Sequence, residues 1–371
     1  MNAGHGITAA YTRLLQERKL VADEGQRAVV RHLAGLASAL ASTPAPSSFR
    51  RGLARRFPGR FTIPGPRGIY LWGKVGRGKT WLLDLFLAQL PDDQRERSHF
   101  HHFMRDVHRE LAAMGSVERP LDRAAATIAS RTRVLCLDEL FVADIGDAMI
   151  LHGLFAALLR EGVVLLISSN WPPDGLYAGG LQRERFLPAI ALLKEKLDVI
   201  ELTGGTDFRL RHFEQADTYV LDEVPDAAGR LAELFDSLAE GVVSEGGVMS
   251  VEGRAIPLLR AASGMAWFDF DTLCDGPRSA VDYIEIAQEL HTVFITGVPV
   301  LDSRRDDAAR RFVTLVDEFY DRGVKLVLGA AAPPTQLYVG ERLARHFERT
   351  ASRLIEMRSR DYLAREHRAT A

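Results

Sequence analysis

The chain is poor in cysteine, in net charge and in long apolar runs. Only two of its 371 residues are cysteines, Cys136 and Cys274, which excludes a disulfide-built scaffold and favours a reducing compartment. Lysine and arginine total 47 against 49 acidic residues, so no overall charge attracts nucleic acid or an anionic membrane. Apolar runs such as Val163–Ile167 are far shorter than the roughly 20 residues of a membrane helix. Residues 1–12 carry no targeting pattern, and we therefore expect a cytoplasmic protein.

Hydrophobic residues make up 47% of the chain, enough for more than one core. We predict an N-terminal helical segment over 1–50, an α/β core over 51–213, and a lid with a second α/β region over 214–371. Apolar residues at helical spacing predict helix over 7–42. In the core, helices such as the one expected from Met104 to Met114 alternate with strands expected at Gly68–Trp72, Ser98–Phe103, Val134–Leu137, Val163–Ser168 and Val199–Leu202. This alternation indicates a parallel sheet covered on both faces.

A phosphate-binding loop signature, G-x-x-x-x-G-K-[ST], lies between a predicted strand and a predicted helix. Its glycines allow backbone N–H groups and the helix N-terminus to face a polyphosphate. Lys79 is expected to reach the β- and γ-phosphates of ATP, and Thr80 to ligate Mg²⁺. The full signature is Gly73, Lys74, Val75, Gly76, Arg77, Gly78, Lys79 and Thr80.

Two further strands end in polar residues that suit hydrolysis. Val134–Leu137 leads into Asp138 and Glu139, which the chain delivers to the carboxyl edge of the sheet, where ligands of open α/β folds bind. Asp138 suits the Mg²⁺ shell, and Glu139 suits a general base for the attacking water. Asn170 follows the next strand and suits a water-holding amide, although a strand-end turn before two prolines is the alternative.

Two arginines, Arg183 and Arg185, follow Asn170 in an otherwise apolar segment. In ring ATPases an arginine at such a place projects into the neighbouring subunit's site and stabilises transition-state charge. We take Arg183 as the first candidate and Arg185 as the second. An ion pair within the fold is the alternative for either residue.

A stretch after Gly162 recurs 161 residues later, after Gly323, with nine identities that include paired prolines. Two positions important for catalysis differ, because Asn170 becomes Ala331 and Arg183 becomes Ala344. Either the second α/β region is a degenerate repeat of part of the core, or two strand–turn–helix segments have similar needs.

The motifs resemble those of the AAA+ ATPases of the ZapE cell-division family, with mitochondrial relatives of the Afg type. The resemblance extends from about Tyr11 to Tyr362 and includes GIYLWGKVGRGKTWLLDLF and LCLDELFVADIGDAMIL. It implies Mg²⁺-dependent ATP hydrolysis by a ring or ATP-dependent oligomer and, in bacteria, a link to the division machinery, particularly its tubulin-like polymer. It further implies Gln26 near the adenine and a nucleotide-sensing lid arginine. Arg353 and Arg209 are candidates for that arginine, and each is equally compatible with a surface position.

We therefore expect an oligomeric ATPase that remodels or regulates a protein client. One alternative is a nucleic-acid-handling ATPase of the helicase-loader kind, although only residues 50–67 are locally basic. A second alternative is an ATP-gated adaptor with little turnover. Glu139 argues against the adaptor, because a pure switch needs no general base.

Overall fold

This computed structural model describes residues 3–17, 23–44, 65–74, 76–142, 144–203, 213, 216–239 and 243–368. Val75 of the phosphate-loop signature and Arg209 lie outside the described residues, as does the basic stretch up to residue 64. The chain divides into two compact units, Met1–Thr206 and Asp207–Ala371. No described helix combines the length and the apolarity needed to cross a lipid bilayer.

The N-terminal helical prediction corresponds to two helices, α1 (Ala3–Glu17) and α2 (Glu24–Ser42). Asp23 caps α2, since its side chain accepts a hydrogen bond from the Gln26 N–H at 3.0 Å. Apolar residues of α2 are buried at helical spacing in the core that also covers one face of the first sheet; they include Val29, Val30, Leu33 and Leu36.

The first unit is built on a parallel sheet with the order β2-β3-β4-β1-β5 among its described residues. The strands β3 and β4 are fully buried, and their alternate residues face two different cores, one on each side of the sheet. This arrangement confirms the predicted parallel α/β core and brings the carboxyl ends of all five strands to one edge. The elements are β1 (Gly68–Trp72), α3 (Lys79–Leu87), β2 (Arg95–His99), α4 (Phe100–Met114), α5 (Pro120–Arg131), β3 (Val134–Asp138), α6 (Ile145–Arg160), β4 (Val164–Ser169), α7 (Leu187–Lys196) and β5 (Leu197–Glu201).

The second predicted strand was misplaced. The structure has β2 at Arg95–His99, and Phe100 begins a helix where the sequence predicted strand as far as Phe103. Phe100, Phe103 and Val107 are buried at helical spacing, so the aromatic residues that suggested a strand form one face of α4. The real strand is a polar edge strand, which the apolar pattern could not reveal.

The second unit contains a six-stranded sheet, within its described residues, of order β6-β13-β12-β11-β10-β7. Its first four strands in this order pair in parallel, whereas β10 and β7 add antiparallel strands at one end. The elements are β6 (Tyr219–Leu221), α8 (Ala227–Leu238), β7 (Ser244–Glu245), β8 (Val248–Val251), β9 (Arg254–Pro257), β10 (Arg260–Ala262), β11 (Met265–Asp269), α9 (Phe270–Cys274), α10 (Ala280–Glu289), β12 (Thr292–Val298), α11 (Asp306–Asp321), β13 (Lys325–Ala330), α12 (Ala344–Met357) and α13 (Arg360–Leu363).

The parallel strands of the second unit repeat the order found in the first. The series β11-β12-β13-β6 corresponds to β2-β3-β4-β1. Three consecutive elements also recur at a constant distance of 161 residues: α6 as α11, β4 as β13, and the turn Pro173–Gly175 as Pro334–Gln336. The second α/β region predicted from the sequence is therefore present, and its topology matches that of the core.

Individual hydrogen bonds repeat as well. The Tyr70 hydroxyl of β1 donates to the Trp171 carbonyl at 2.9 Å, and the Tyr219 hydroxyl of β6 donates to the Ala332 carbonyl at 2.6 Å. Ala332 lies 161 residues after Trp171. The strand register agrees, because Tyr70 pairs with Ile167 of β4 and Tyr219 pairs with Leu328 of β13, 161 residues after Ile167. Shared register and shared buried bonds favour duplication of the first unit's fold over similar local needs.

Candidate functional site

The phosphate loop connects β1 to α3 at the carboxyl edge of the first sheet. A side chain at Gly73 would bring its Cβ within 2.7 Å of the Leu202 carbonyl oxygen, so the close approach there requires glycine. Gly78 precedes α3 with φ of 80°, a left-handed conformation that other residues adopt only with strain. Glycine at these two positions therefore suits a loop that brings its backbone close to an anion at the helix N-terminus.

Lys79 begins α3, and its ammonium group lies inside the loop. The residue is 8% exposed, and Nζ donates to the carbonyl oxygens of Gly73 at 2.7 Å and Lys74 at 2.9 Å. Nζ also donates to Oδ1 of Asn170 at 2.9 Å. Because β4 pairs with β1, the residue after β4 meets the loop after β1, and two residues predicted for the site are in contact.

The carboxylate of Asp138 is buried at the end of β3. Its Oδ1 accepts a hydrogen bond from the Ser168 hydroxyl at 3.1 Å, and the Ser168 oxygen in turn accepts the Glu139 N–H at 3.0 Å. Glu139 is half-buried and has φ of 54°, an uncommon conformation for a residue other than glycine. Strain of this kind concentrates at functional sites, where the surrounding bonds hold the residue in place. Ser168 was not identified from the sequence.

Thr80 and Asp138 have the donor chemistry of a magnesium site. Thr80 lies in the first turn of α3 and Asp138 at the end of the buried β3, so both belong to elements that end or begin at the same sheet edge. Hydroxyl and carboxylate oxygens are the hard ligands that Mg²⁺ prefers. Each Asp138 oxygen keeps acceptor capacity beyond its one hydrogen bond, so the donor set fits the ion.

Arg97 is a further site residue that the sequence reasoning missed. Its Nε donates to Oδ2 of Asp138 at 2.5 Å, and its Nη1 contacts Oδ1 of Asp84 on α3. Burial disfavours the guanidinium charge, yet the carboxylates of Asp138 and Asp84 raise the pKa of Arg97. The predicted strand began one residue later, at Ser98, so Arg97 stood outside the sheet in that interpretation. Cys136 lies opposite Arg97 in the register of the two strands, and burial raises the pKa of its thiol.

Gln26 contacts the phosphate loop itself. Its Nε2 donates to the Arg77 carbonyl at 3.1 Å, and its Oε1 accepts the Tyr11 hydroxyl at 3.1 Å. The Tyr11 ring lies 5.6 Å from the Trp81 ring of α3, centroid to centroid. The helices α1 and α2 are thus joined to the loop backbone through one buried amide, and proximity of Gln26 to the adenine stays a prediction.

The candidate arginines differ in their surroundings. Arg183 is half-buried, and its Nη2 donates to the Asp174 carbonyl at 2.7 Å. Arg185 is exposed, and its side chain forms no hydrogen bond or ion pair with other described residues. Arg353 lies on α12 in the second unit, where it pairs with Asp317 at 2.7 Å. A nucleotide-sensing role for Arg353 stays a prediction.

The corresponding edge of the second unit has different residues at the positions of the site. By strand register Asp138 corresponds to Thr296, Glu139 to Gly297 and Asn170 to Ala331. The segment after β6 reads Asp222-Glu223-Val224-Pro225-Asp226 and leads into two alanines where α3 begins with lysine and threonine. This acidic segment has neither glycine nor lysine to hold a phosphate.

The chain is similar to known ATPases along nearly its whole length. The family described as AFG1-like ATPase matches residues 6–366. Cell division protein ZapE of Escherichia coli is 40% identical over 368 residues, which cover 98% of this chain and 98% of that protein. Lactation elevated protein 1 homolog B of Danio rerio is 41% identical over 286 residues, 73% of this chain and 57% of that protein. Among solved structures, domain III of the Thermotoga maritima replication initiation protein DnaA is 17% identical and covers 52% of this chain and 71% of that one, with a TM-score of 0.32.

Proposed function

Because the chain belongs to the AFG1-like ATPase family, we propose that it is a magnesium-dependent AAA+ ATPase that assembles with copies of itself and remodels or regulates a protein client. The name of its relative, cell division protein ZapE, supports a client in the division machinery. Within this proposal the protein is cytoplasmic, and the tubulin-like division polymer is the candidate client. The contact between Lys79 Nζ and Asn170 Oδ1 carries the proposal, because it lies at the sheet edge where β3 ends at Asp138 and is followed by Glu139.

The loop and its lysine bind the polyphosphate of ATP. The Lys79 ammonium now donates to two loop carbonyls and to Asn170, and it would exchange some of these acceptors for the β- and γ-phosphate oxygens. Thr80 and Asp138 would hold Mg²⁺, which when bound supplies positive charge beside the phosphates. The helix N-terminus adds its own partial positive charge to the site.

Glu139 and Asn170 orient the attacking water. Glu139 follows directly on Asp138, its backbone is fixed through Ser168, and its carboxylate accepts a proton from water as the γ-phosphate is attacked. The Asn170 amide, held beside Lys79, supplies a second hydrogen-bonding group to that water. Positioning and charge neutralisation account for most of the catalysis in phosphoryl transfer.

An arginine from a neighbouring copy completes the site in this proposal. Exposure supports Arg185 over Arg183, because the Arg183 guanidinium is engaged with the Asp174 carbonyl in its own subunit. Such an arginine raises turnover by a factor of about 10³ to 10⁵ in related phosphoryl-transfer enzymes.

ATP turnover per subunit, measured over a range of protein concentrations, tests the proposal. We expect turnover to rise with concentration, to vanish in Glu139→Gln with nucleotide binding retained, and to fall strongly in Arg185→Ala. Arg109→Ala serves as the matched control, because it removes an exposed arginine of α4 whose one ion pair with a described residue is to Asp106. Flat turnover per subunit, or normal turnover in an oligomeric double variant of Arg183 and Arg185, would refute the shared site.

The same experiment tests the adaptor alternative, and a DNA-binding measurement tests the helicase-loader alternative. An ATP-gated adaptor would bind ATP tightly without turnover in either the parent or Glu139→Gln. For the helicase-loader alternative, salt-dependent binding of DNA is the expected sign. Arg67, the described end of the basic stretch, gives that alternative no support, since its guanidinium bonds to Asp198 and to the backbone of β5.

A further inference from the structure

We propose that Arg97 is a positioning residue for the magnesium site, which it serves by tying the strand that carries Asp138 to the helix that carries Thr80. This inference rests on the proposed function, magnesium-dependent hydrolysis of ATP. It assigns a role to a residue of the edge strand β2, which lies outside the phosphate loop and is not among the predicted catalytic residues.

One guanidinium connects two different elements. Nε of Arg97 donates to Oδ2 of Asp138 on β3, and Nη1 contacts Oδ1 of Asp84 on α3. Asp84 lies four residues after Thr80, about one turn further along the same helix, so the two side chains share a face. The rigid, planar fork of arginine can hold both carboxylates at once, which the single ammonium of lysine cannot do in the same geometry. Arg97 therefore constrains the separation of the two predicted magnesium ligands.

Stability alone is a weak reason for this arrangement. The Asp138 side chain is 2% exposed, and those of Arg97 and Asp84 are 30% and 24% exposed. Taking such charges out of water costs free energy that their mutual attraction often only balances, and well-packed apolar residues serve a fold at least as well.

The second unit shows directly that the sheet forms without the charged group. By register Arg97 corresponds to Trp267 of β11, and Asp138 corresponds to Thr296 of β12. The Trp267 Nε1 donates to Oγ1 of Thr296 at 2.9 Å, so a neutral pair occupies the place of the ion pair. The strands remain parallel and equally registered. Arginine and carboxylate are thus both absent from the copy whose loop cannot bind phosphate, as expected if they serve one site.

The test is the Mg²⁺ dependence of nucleotide binding by the full chain. A fluorescent ADP analogue is titrated at increasing Mg²⁺, and the Mg²⁺ concentration that gives half of the maximal tightening is recorded. The variants are Arg97→Lys, Arg97→Met and Asp84→Asn. Arg131→Met is the control, because it removes a different ion pair of β2, the one between Glu96 of that strand and Arg131 of α5. Thermal midpoints of all variants are measured in parallel, without nucleotide.

We expect the half-maximal Mg²⁺ concentration to rise about tenfold or more in Arg97→Met, as for other residues that orient metal ligands. Arg97→Lys and Asp84→Asn should shift in the same direction by less, and the control should not shift. A fall in Arg97→Met would mean that Arg97 merely competes with the cation, and an unchanged Mg²⁺ dependence with a lowered thermal midpoint would mean a structural role. Either result overturns the proposal. Parent protein whose binding ignores Mg²⁺ would instead refute the magnesium dependence in the proposed function, and this inference with it.

Discussion

Replacing Ser168 with alanine distinguishes two roles of its hydroxyl, which are to hold Asp138 and the proposed general base Glu139 in place and to stabilise the sheet. Ser168 is 1% exposed, and its hydroxyl connects the Glu139 N–H to Oδ1 of Asp138. The variant loses both hydrogen bonds and leaves a buried donor and a buried acceptor with one partner fewer. At about 1 kcal/mol for each bond, and more where a buried group stays unpaired, the loss in unfolding free energy is about 2 to 3 kcal/mol.

Ser169 supplies the matched control. It is 0% exposed and also makes two hydrogen bonds, but these join the Leu140 carbonyl and the Trp171 N–H. Ser169→Ala should therefore lose a similar amount of stability, while the bonds to Asp138 and Glu139 remain. We expect both variants to unfold at a similarly lowered temperature, and near-ultraviolet circular dichroism measures this unfolding.

Turnover distinguishes the two serines. In steady-state assays at saturating ATP, well below the unfolding temperature, we expect kcat to fall about tenfold or more in Ser168→Ala, because outer groups that orient ligands commonly have effects of that size. Ser169→Ala should retain most of the parent kcat. Equal losses of kcat in both variants, or normal kcat in Ser168→Ala, would refute the argument that the Ser168 hydroxyl holds the Glu139 backbone in place.

Three further predictions follow from the structure. Calorimetric titration should give one nucleotide per chain and none for Lys79→Ala, since the second unit has alanines where α3 begins with lysine; residual binding in the variant would contradict this. Gln26→Ala should weaken nucleotide binding about fivefold, the equivalent of roughly 1 kcal/mol for its hydrogen bond to the Arg77 carbonyl, and unchanged affinity in a fluorescence titration would argue against coupling of α2 to the loop. Both cysteines are buried, and burial raises the pKa of each thiol. At pH 8 the folded protein should therefore react slowly with a thiol reagent, and both thiols should react quickly after denaturation. Rapid reaction of the folded protein would contradict the burial.

Sequence reasoning was most effective where chemistry and apolar pattern coincide. As predicted, the phosphate-loop signature follows β1, and the buried apolar run before Asp138 forms β3. Such strands can be predicted because fully buried parallel strands are short and uniformly apolar. The edge strand β2 has the sequence Arg-Glu-Arg-Ser-His and no such pattern. It was therefore placed too late in the chain, and Arg97 was missed with it.

Contacts between distant residues account for the rest. Nothing local marks Ser168 as a partner of Asp138, or Asp84 as a partner of Arg97, because both relations arise only when strands and helices pack. The recurrence after Gly323 was visible in the sequence but open to two explanations. Strand register and the paired tyrosine hydrogen bonds favour duplication, and these depend on pairings that identities alone do not contain.

The left-handed backbone at Glu139 bears on how the two copies diverged. Its counterpart Gly297 has φ of 73°, so both copies keep the same turn after the strand. For a residue with a side chain that turn costs about 1 to 2 kcal/mol, whereas glycine adopts it freely. The first unit thus bears a conformational cost at its proposed general base, whereas the second unit, with glycine at the corresponding position, does not. We therefore expect Glu139→Gly to raise the free energy of unfolding and to abolish ATP turnover.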